Sequence, residues 1–93
     1  MLDSQFYNDL GWAQENLSDY RAALKNYDKA ISIDFPDVED DYVYYSNRAN
    51  VKLELDDKEG ACRDYKTSAL MGNQDTYDWL NSWNGRWCRK MKT

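Results

Sequence analysis

YNDLGWAQENLSDYRAALKNYDKAISIDFP, residues 7–36, decides the fold. Within it Tyr7, Leu10, Gly11 and Leu17 recur at helical spacing, which gathers small and apolar side chains on one face and predicts a first helix over about residues 4–16. Ser4 stands where it can cap that helix. Ser18 and Asp19 then break the pattern as an N-cap pair, and Tyr20, Ala23, Leu24, Tyr27, Ala30 and Ile31 define a second amphipathic helix. Its end is expected near Asp34, because Pro36 disfavours helical geometry at Phe35.

Outward from this stretch the scheme begins again. Tyr45, Ala49 and Leu55 mark a third helix, and Ala61, Cys62, Tyr65, Ser68 and Ala69 a fourth, with Asp56 and Asp57 between them. A shift of 38 residues lays Tyr7 on Tyr45, Leu17 on Leu55, Asp19 on Asp57, Ala23 on Ala61 and Tyr27 on Tyr65. Gly11 then falls on Ala49 and Ala30 on Ser68, small for small. Self-similarity at a fixed lag marks a stacked array. Gly72 and Asn73 terminate the fourth helix, and Thr76, Trp79, Leu80 and Trp83 predict a fifth over Asp75 to Trp83, stopped by Gly85. Trp79, Leu80 and Trp83 are expected to pack on the last helix pair as a cap.

The spacing has a mechanical cause. Antiparallel helices approach to about 8–10 Å only where their crossing carries Gly, Ala or Ser. Gly11, Ala23 and Ala30 provide those gaps, and Tyr7, Tyr20 and Tyr27 are the knobs that fill the adjoining holes.

On these residues the chain resembles the tetratricopeptide repeat family, whose pattern is an aromatic, then Leu-Gly, later Ala, an aromatic four on, and a terminal Pro. Tyr7, Leu10, Gly11, Ala23, Tyr27, Ala30 and Pro36 carry the first repeat, and Tyr45, Ala49, Ala61, Tyr65 and Ser68 a weaker second. The lag exceeds the family's period of about 34 residues, with an acidic insertion at Asp37 to Asp41. Arg48 replaces Leu10 and Lys58 replaces Tyr20, so the second repeat is poorer in apolar residues.

The resemblance implies an all-α fold of antiparallel helix-turn-helix repeats stacked as a short right-handed α-solenoid of five helices. The whole chain, 1–93, is expected to be one domain, with repeat one at about 4–36, repeat two at about 42–73, and a capping helix and basic tail at about 74–93.

It also implies a non-catalytic interaction module whose concave groove, lined by the first helix of each repeat, holds a peptide segment of a partner. Carried over residue by residue, the groove positions are Gln5, Asn8, Trp12, Glu15 and Asn16, then Val43, Ser46, Asn47, Asn50, Leu53 and Glu54. Trp12 lies off the packing face, and large aromatics of that kind anchor interfaces. Asn8, Asn47 and Asn50 offer both donor and acceptor to a peptide backbone. Family members that clamp a C-terminal carboxylate do so with Lys and Asn where this chain has Asn8 and Trp12, so that activity is not implied. The alternative is self-assembly into a homo-oligomer through the exposed repeat flank or the Trp-rich C-terminal segment.

Composition narrows the choice. The formal net charge of -5 disfavours nucleic acid and anionic membranes, and suits a basic or apolar protein partner. Acidic residues Asp34, Asp37, Glu39, Asp40 and Asp41 crowd one stretch, whereas Arg86, Arg89, Lys90 and Lys92 crowd the C-terminus. The chain has no His, no phosphate-binding Gly loop and no nucleophile elbow, so neither enzyme chemistry nor a metal or other cofactor is expected. Its two cysteines, Cys62 and Cys88, are too few for a disulfide framework and are expected to be free thiols in a cytoplasmic protein, with Cys62 structural and Cys88, among Arg86, Arg89 and Lys90, the redox candidate. No apolar run is long enough to span a membrane.

Overall fold

A computed structural model describes residues 3–33 and 41–92, and among them every regular element is a helix. In chain order these are α1 (Ser4–Asn16), α2 (Tyr20–Ile33), α3 (Asp41–Glu54), α4 (Lys58–Leu70), α5 (Gln74–Leu80) and a single turn, α6 (Arg86–Arg89). Pro36, the last residue of the repeat motif, and most of the acidic insertion lie outside the described residues.

Helices α1 and α2 form one antiparallel hairpin and α3 and α4 the next. Helix α2 packs on α3, α4 on α5, and α6 on α4. The product is a short α-solenoid with principal extents of 41 × 30 × 19 Å.

The two hairpin turns are built alike, which is why the sequence repeats where it does. Ser18 and Asp56, separated by the repeat lag, both take left-handed backbone conformations, with φ of 61° and 63°. In each turn the next residue donates its N–H back across the helix end, Asp19 to the Gln14 carbonyl at 2.9 Å and Asp57 to the Lys52 carbonyl at 2.8 Å. The same two aspartates then open the following helices, Asp57 accepting from the Gly60 N–H and Asp19 from the Ala22 N–H. Ser4 does not cap α1. Asp3 does, accepting from the Phe6 N–H at 2.9 Å, because its carboxylate reaches a free first-turn donor from just outside the helix.

Packing follows the small residues. Ala23, Tyr27 and Ala30 on α2 are completely buried, and so are Ala49, Ala61 and Ser68 in the second repeat. Gly11 is required by contact: a Cβ there would stand 2.9 Å from the Tyr27 ring. Ser68 uses its smallness differently from Ala30. Its hydroxyl donates to the Tyr42 carbonyl at 2.6 Å and accepts from Asn73 at 2.9 Å, joining α4 to the starts of α3 and α5.

Some expected core positions are not core. Tyr7 and Tyr20 are half-buried rather than enclosed, and Tyr44, not Tyr45, is the buried aromatic at the start of α3. Leu17 is 80% exposed, meeting no described helix there, whereas its counterpart Leu55 packs against Ala23, Tyr27 and Val51.

The C-terminal region departs furthest from expectation. Helix α5 stops at Leu80, short of Trp83, and Gly85 opens α6 instead of ending α5. Trp79 and Leu80 do pack on the second repeat, but Trp83 is 79% exposed with Arg86 over its ring. Cys62 and Cys88 are not free thiols: they form a buried disulfide, with 5.3 Å between their Cα atoms, that ties α6 to α4. Lys66 donates to the Met91 carbonyl and Arg89 to the Leu80 carbonyl, so the basic tail is folded back on the last repeat. A four-residue helix has no stability of its own, and the cross-link holds it in place.

Candidate functional site

The face bounded by α1, α3 and α5 is open. Two clefts between α3 and α5, of about 340 and 560 Å³, share Asn50, Tyr65, Asp75 and Thr76 and so form one continuous depression. Val43, Ser46, Asn50 and Leu53 line it from α3, at the register that carries them to the side away from α2. Thr76 and Trp79, three apart on α5, close the opposite wall.

The floor is Tyr65, reaching up from α4. Its ring packs against Trp79 with centroids 4.8 Å apart, and its hydroxyl donates to Asn50 Oδ1. Burial, reinforced by the negative charge of Glu15, pushes the Tyr65 phenol up to about 12. The Tyr27 phenol is also held above its ordinary value, first by burial and then by the hydrogen bond it donates to Glu15 at 2.8 Å. Glu15 therefore serves both tyrosines.

The expected groove residues of repeat one divide in two. Trp12 is 58% exposed and Asn16 is also open to solvent. Gln5, Asn8 and Glu15 make hydrogen bonds within the chain instead, Asn8 buried, Glu15 partly buried and Gln5 exposed: the Tyr44 hydroxyl donates to Gln5, Asn47 Nδ2 donates to Asn8 Oδ1 at 3.0 Å, and Glu15 accepts from Tyr27. Asn8 and Asn47 thus weld α1 to α3. Glu54 is exposed at the end of α3, outside the clefts.

The wall that α5 contributes, Asp75, Thr76 and Trp79 among it, is not among the expected groove residues, because α5 reads in sequence as a cap. By position it is also a third first-helix beside α1 and α3. The available signal was geometric: Asn50 and Leu53 must face whatever helix follows α4, and Thr76 and Trp79 are the paired positions of that helix.

On the other side of α3, Arg48 grips Asp64 with Nε and a terminal nitrogen at 2.7 and 2.8 Å and reaches Asp28 on α2 at 3.0 Å. Lys52 adds a third cation contact to Asp64 at 3.0 Å. The Arg48 guanidinium is held in its charged form chiefly by the hydrogen bonds to Asp64. This cluster joins α2, α3 and α4, and it explains the apolar residue that repeat two lacks.

Among the described residues no group of His, Cys, Asp or Glu side chains is placed to hold a metal ion, and no helix is long and apolar enough to cross a membrane. A family model described as the tetratricopeptide repeat matches residues 4–37. No curated protein and no solved structure matches the chain.

Proposed function

From the premise that residues 4–37 are a tetratricopeptide repeat, a protein-protein interaction module in general, we propose that this chain is a non-catalytic adaptor. It binds an extended segment of a partner protein along α1, α3 and α5. The observation that carries this reading is the continuous depression between α3 and α5. Trp12, one repeat lag before the lining residue Asn50, is exposed on α1. A cleft walled by aromatic and aliphatic side chains, with a few amides to fix a backbone, is the ordinary form of a ligand site. Asn50 spends its carbonyl oxygen on Tyr65 and keeps its N–H₂ for a peptide carbonyl.

The test is selection of binders from a displayed library of random dodecapeptides, followed by chemical-shift mapping of a selected peptide on the intact protein. Shifts centred on Asn50, Leu53 and Trp12 support the groove. Trp12→Ala should leave helicity unchanged and weaken binding by about tenfold or more, the usual loss at an aromatic anchor. Shifts confined to α2 and α4, or a strongly destabilised Trp12→Ala, would remove the assignment.

Self-assembly has one observation in its favour. Leu70 is 89% exposed beside an apolar depression of about 290 Å³ formed with Ala69, Tyr77 and Leu80. If copies join there, light scattering should report a mass that rises with concentration, and Leu70→Glu should return it to the monomer value. A constant monomer mass eliminates this reading.

The compartment follows different chemistry from that of a free-thiol protein. Disulfides persist in oxidising surroundings and are rare in the cytosol, so the Cys62–Cys88 bond withdraws the thiol argument for a cytoplasmic location.

A further inference from the structure

We propose that the α3–α5 cleft receives one cationic side chain, Lys or Arg, of the bound peptide, with the Asp75 carboxylate as counter-ion and the Trp79 ring as platform. This rests on the groove reading above and names the chemistry that the groove selects.

The charge inventory leads to it. Among the residues lining the cleft, Asp75 is the sole charged one, and it makes no ion pair among the described residues. Glu15 adds negative charge from the α1 side, close enough to act on the Tyr65 phenol. The chain's own cations near these helices are committed elsewhere: Arg48 and Lys52 to Asp64, Lys66 to the Met91 carbonyl, Arg89 to the Leu80 carbonyl and Arg86 to the Trp83 ring. A groove with unpaired negative charge and no internal cation is complementary to a positive guest.

The walls fit the same guest. Trp79 is fixed on one side by the Tyr65 ring and at its edge by Trp87, whose centroid lies 6.1 Å away at an interplanar angle of 80°. An indole that lines the cleft one helical turn from a carboxylate is suited to an ammonium or guanidinium guest. Leu53 offers an apolar surface along which the methylenes of a long basic side chain can lie. The Trp79 end of the depression, about 340 Å³, has room for a long basic side chain.

The experiment uses the intact, oxidised protein and the same library of random dodecapeptides. Selected sequences should be enriched in Lys or Arg at one register position. Against a synthetic selected peptide, Asp75→Asn should raise Kd about tenfold, the combined scale of a cation–π contact and an exposed ion pair. Substituting that one basic residue by norleucine or citrulline should do the same. Glu59→Gln removes the same formal charge from α4, where Glu59 pairs with Arg63 away from the cleft, and should leave Kd unchanged. Circular dichroism of Asp75→Asn checks that α5 persists.

Neutral or acidic consensus sequences, or equal effects of Asp75→Asn and Glu59→Gln, would overturn the cation site. If those peptides still shift Asn50 and Leu53, the groove survives that result. Failure to select any peptide, or shifts lying away from α1, α3 and α5, would overturn both.

Discussion

Repeat one and repeat two put related residues at equivalent positions and give them opposite surroundings. Phe6, Leu10 and Leu17 are exposed on α1, while Tyr44, Arg48 and Leu55, one lag later, are wholly or largely enclosed. The helical face is the same in both. What differs is that α3 has α2 to lean on and α1 has no described neighbour there. In a stacked fold, burial is decided by place in the stack as much as by residue type.

Polar chemistry tracks that difference. At the hairpin crossing of repeat one, Asn26 donates to Gln14 at 2.6 Å, a neutral pair in a half-open setting. At the equivalent crossing of repeat two, Lys52 meets Asp64, and Arg48 joins them and extends to Asp28 in the preceding repeat. Ions appear where three helices meet, because only there do fixed donors surround the carboxylate on several sides.

The largest effect should come from breaking that cluster. Asp64→Ala leaves two partly buried cations without their shared anion and should cost about 3–5 kcal/mol in urea unfolding. Replacing the three members that belong to repeat two by their repeat-one counterparts, Arg48→Leu with Lys52→Gln and Asp64→Asn, should recover most of the loss. A triple variant as weak as Asp64→Ala would show that the ions do something the neutral pair cannot.

Next in size is the cross-link, which closes the second repeat and has no equivalent in the first. Cys88→Ala should cost about 3 kcal/mol from the loop it opens, and Trp fluorescence should report Trp87 leaving Trp79. Amide exchange should quicken in α4 and α5 while α1 and α2 hardly change.

Gly11→Ala gives repeat one the residue that repeat two already has in Ala49. It should still cost about 1–3 kcal/mol, because the added carbon meets a Tyr27 ring with no room to yield. A neutral outcome would mean that the two crossings are interchangeable.

The smallest effect is alkaline. The folded state holds the Tyr65 proton to about pH 12, whereas the unfolded chain releases it near the ordinary value of 10. The folded state therefore binds more protons in that window, and stability falls as pH rises through it. Urea midpoints of the native protein and Tyr65→Phe should converge from pH 10 upward if the phenol is responsible.

Much of the fold was legible because helical periodicity, two matching turns and small residues at crossings are local signals. Ser18 and Asp56 stand one lag apart and adopt the same backbone, and Gly11 meets the aromatic that its spacing demands. The misreadings share a cause. Leu17 and Trp83 are assigned by helical face alone, and a face does not say which neighbour lies across it. Cys62 and Cys88 lie 26 residues apart on different helices, and nothing local could pair them. Asp75 and Trp79 belong to the cleft only because α4 turns back and sets α5 beside α3.

The Cys62–Cys88 bond also decides how the molecule carries tension. A pull on the C-terminal end passes through Cys88 into the middle of α4, so α5 and the wall of the cleft lie on a covalent loop outside the line of load. Helix α3, which precedes Cys62, stays within that line, so stretching would strip the guest from α1 and α3 while α5 keeps its shape.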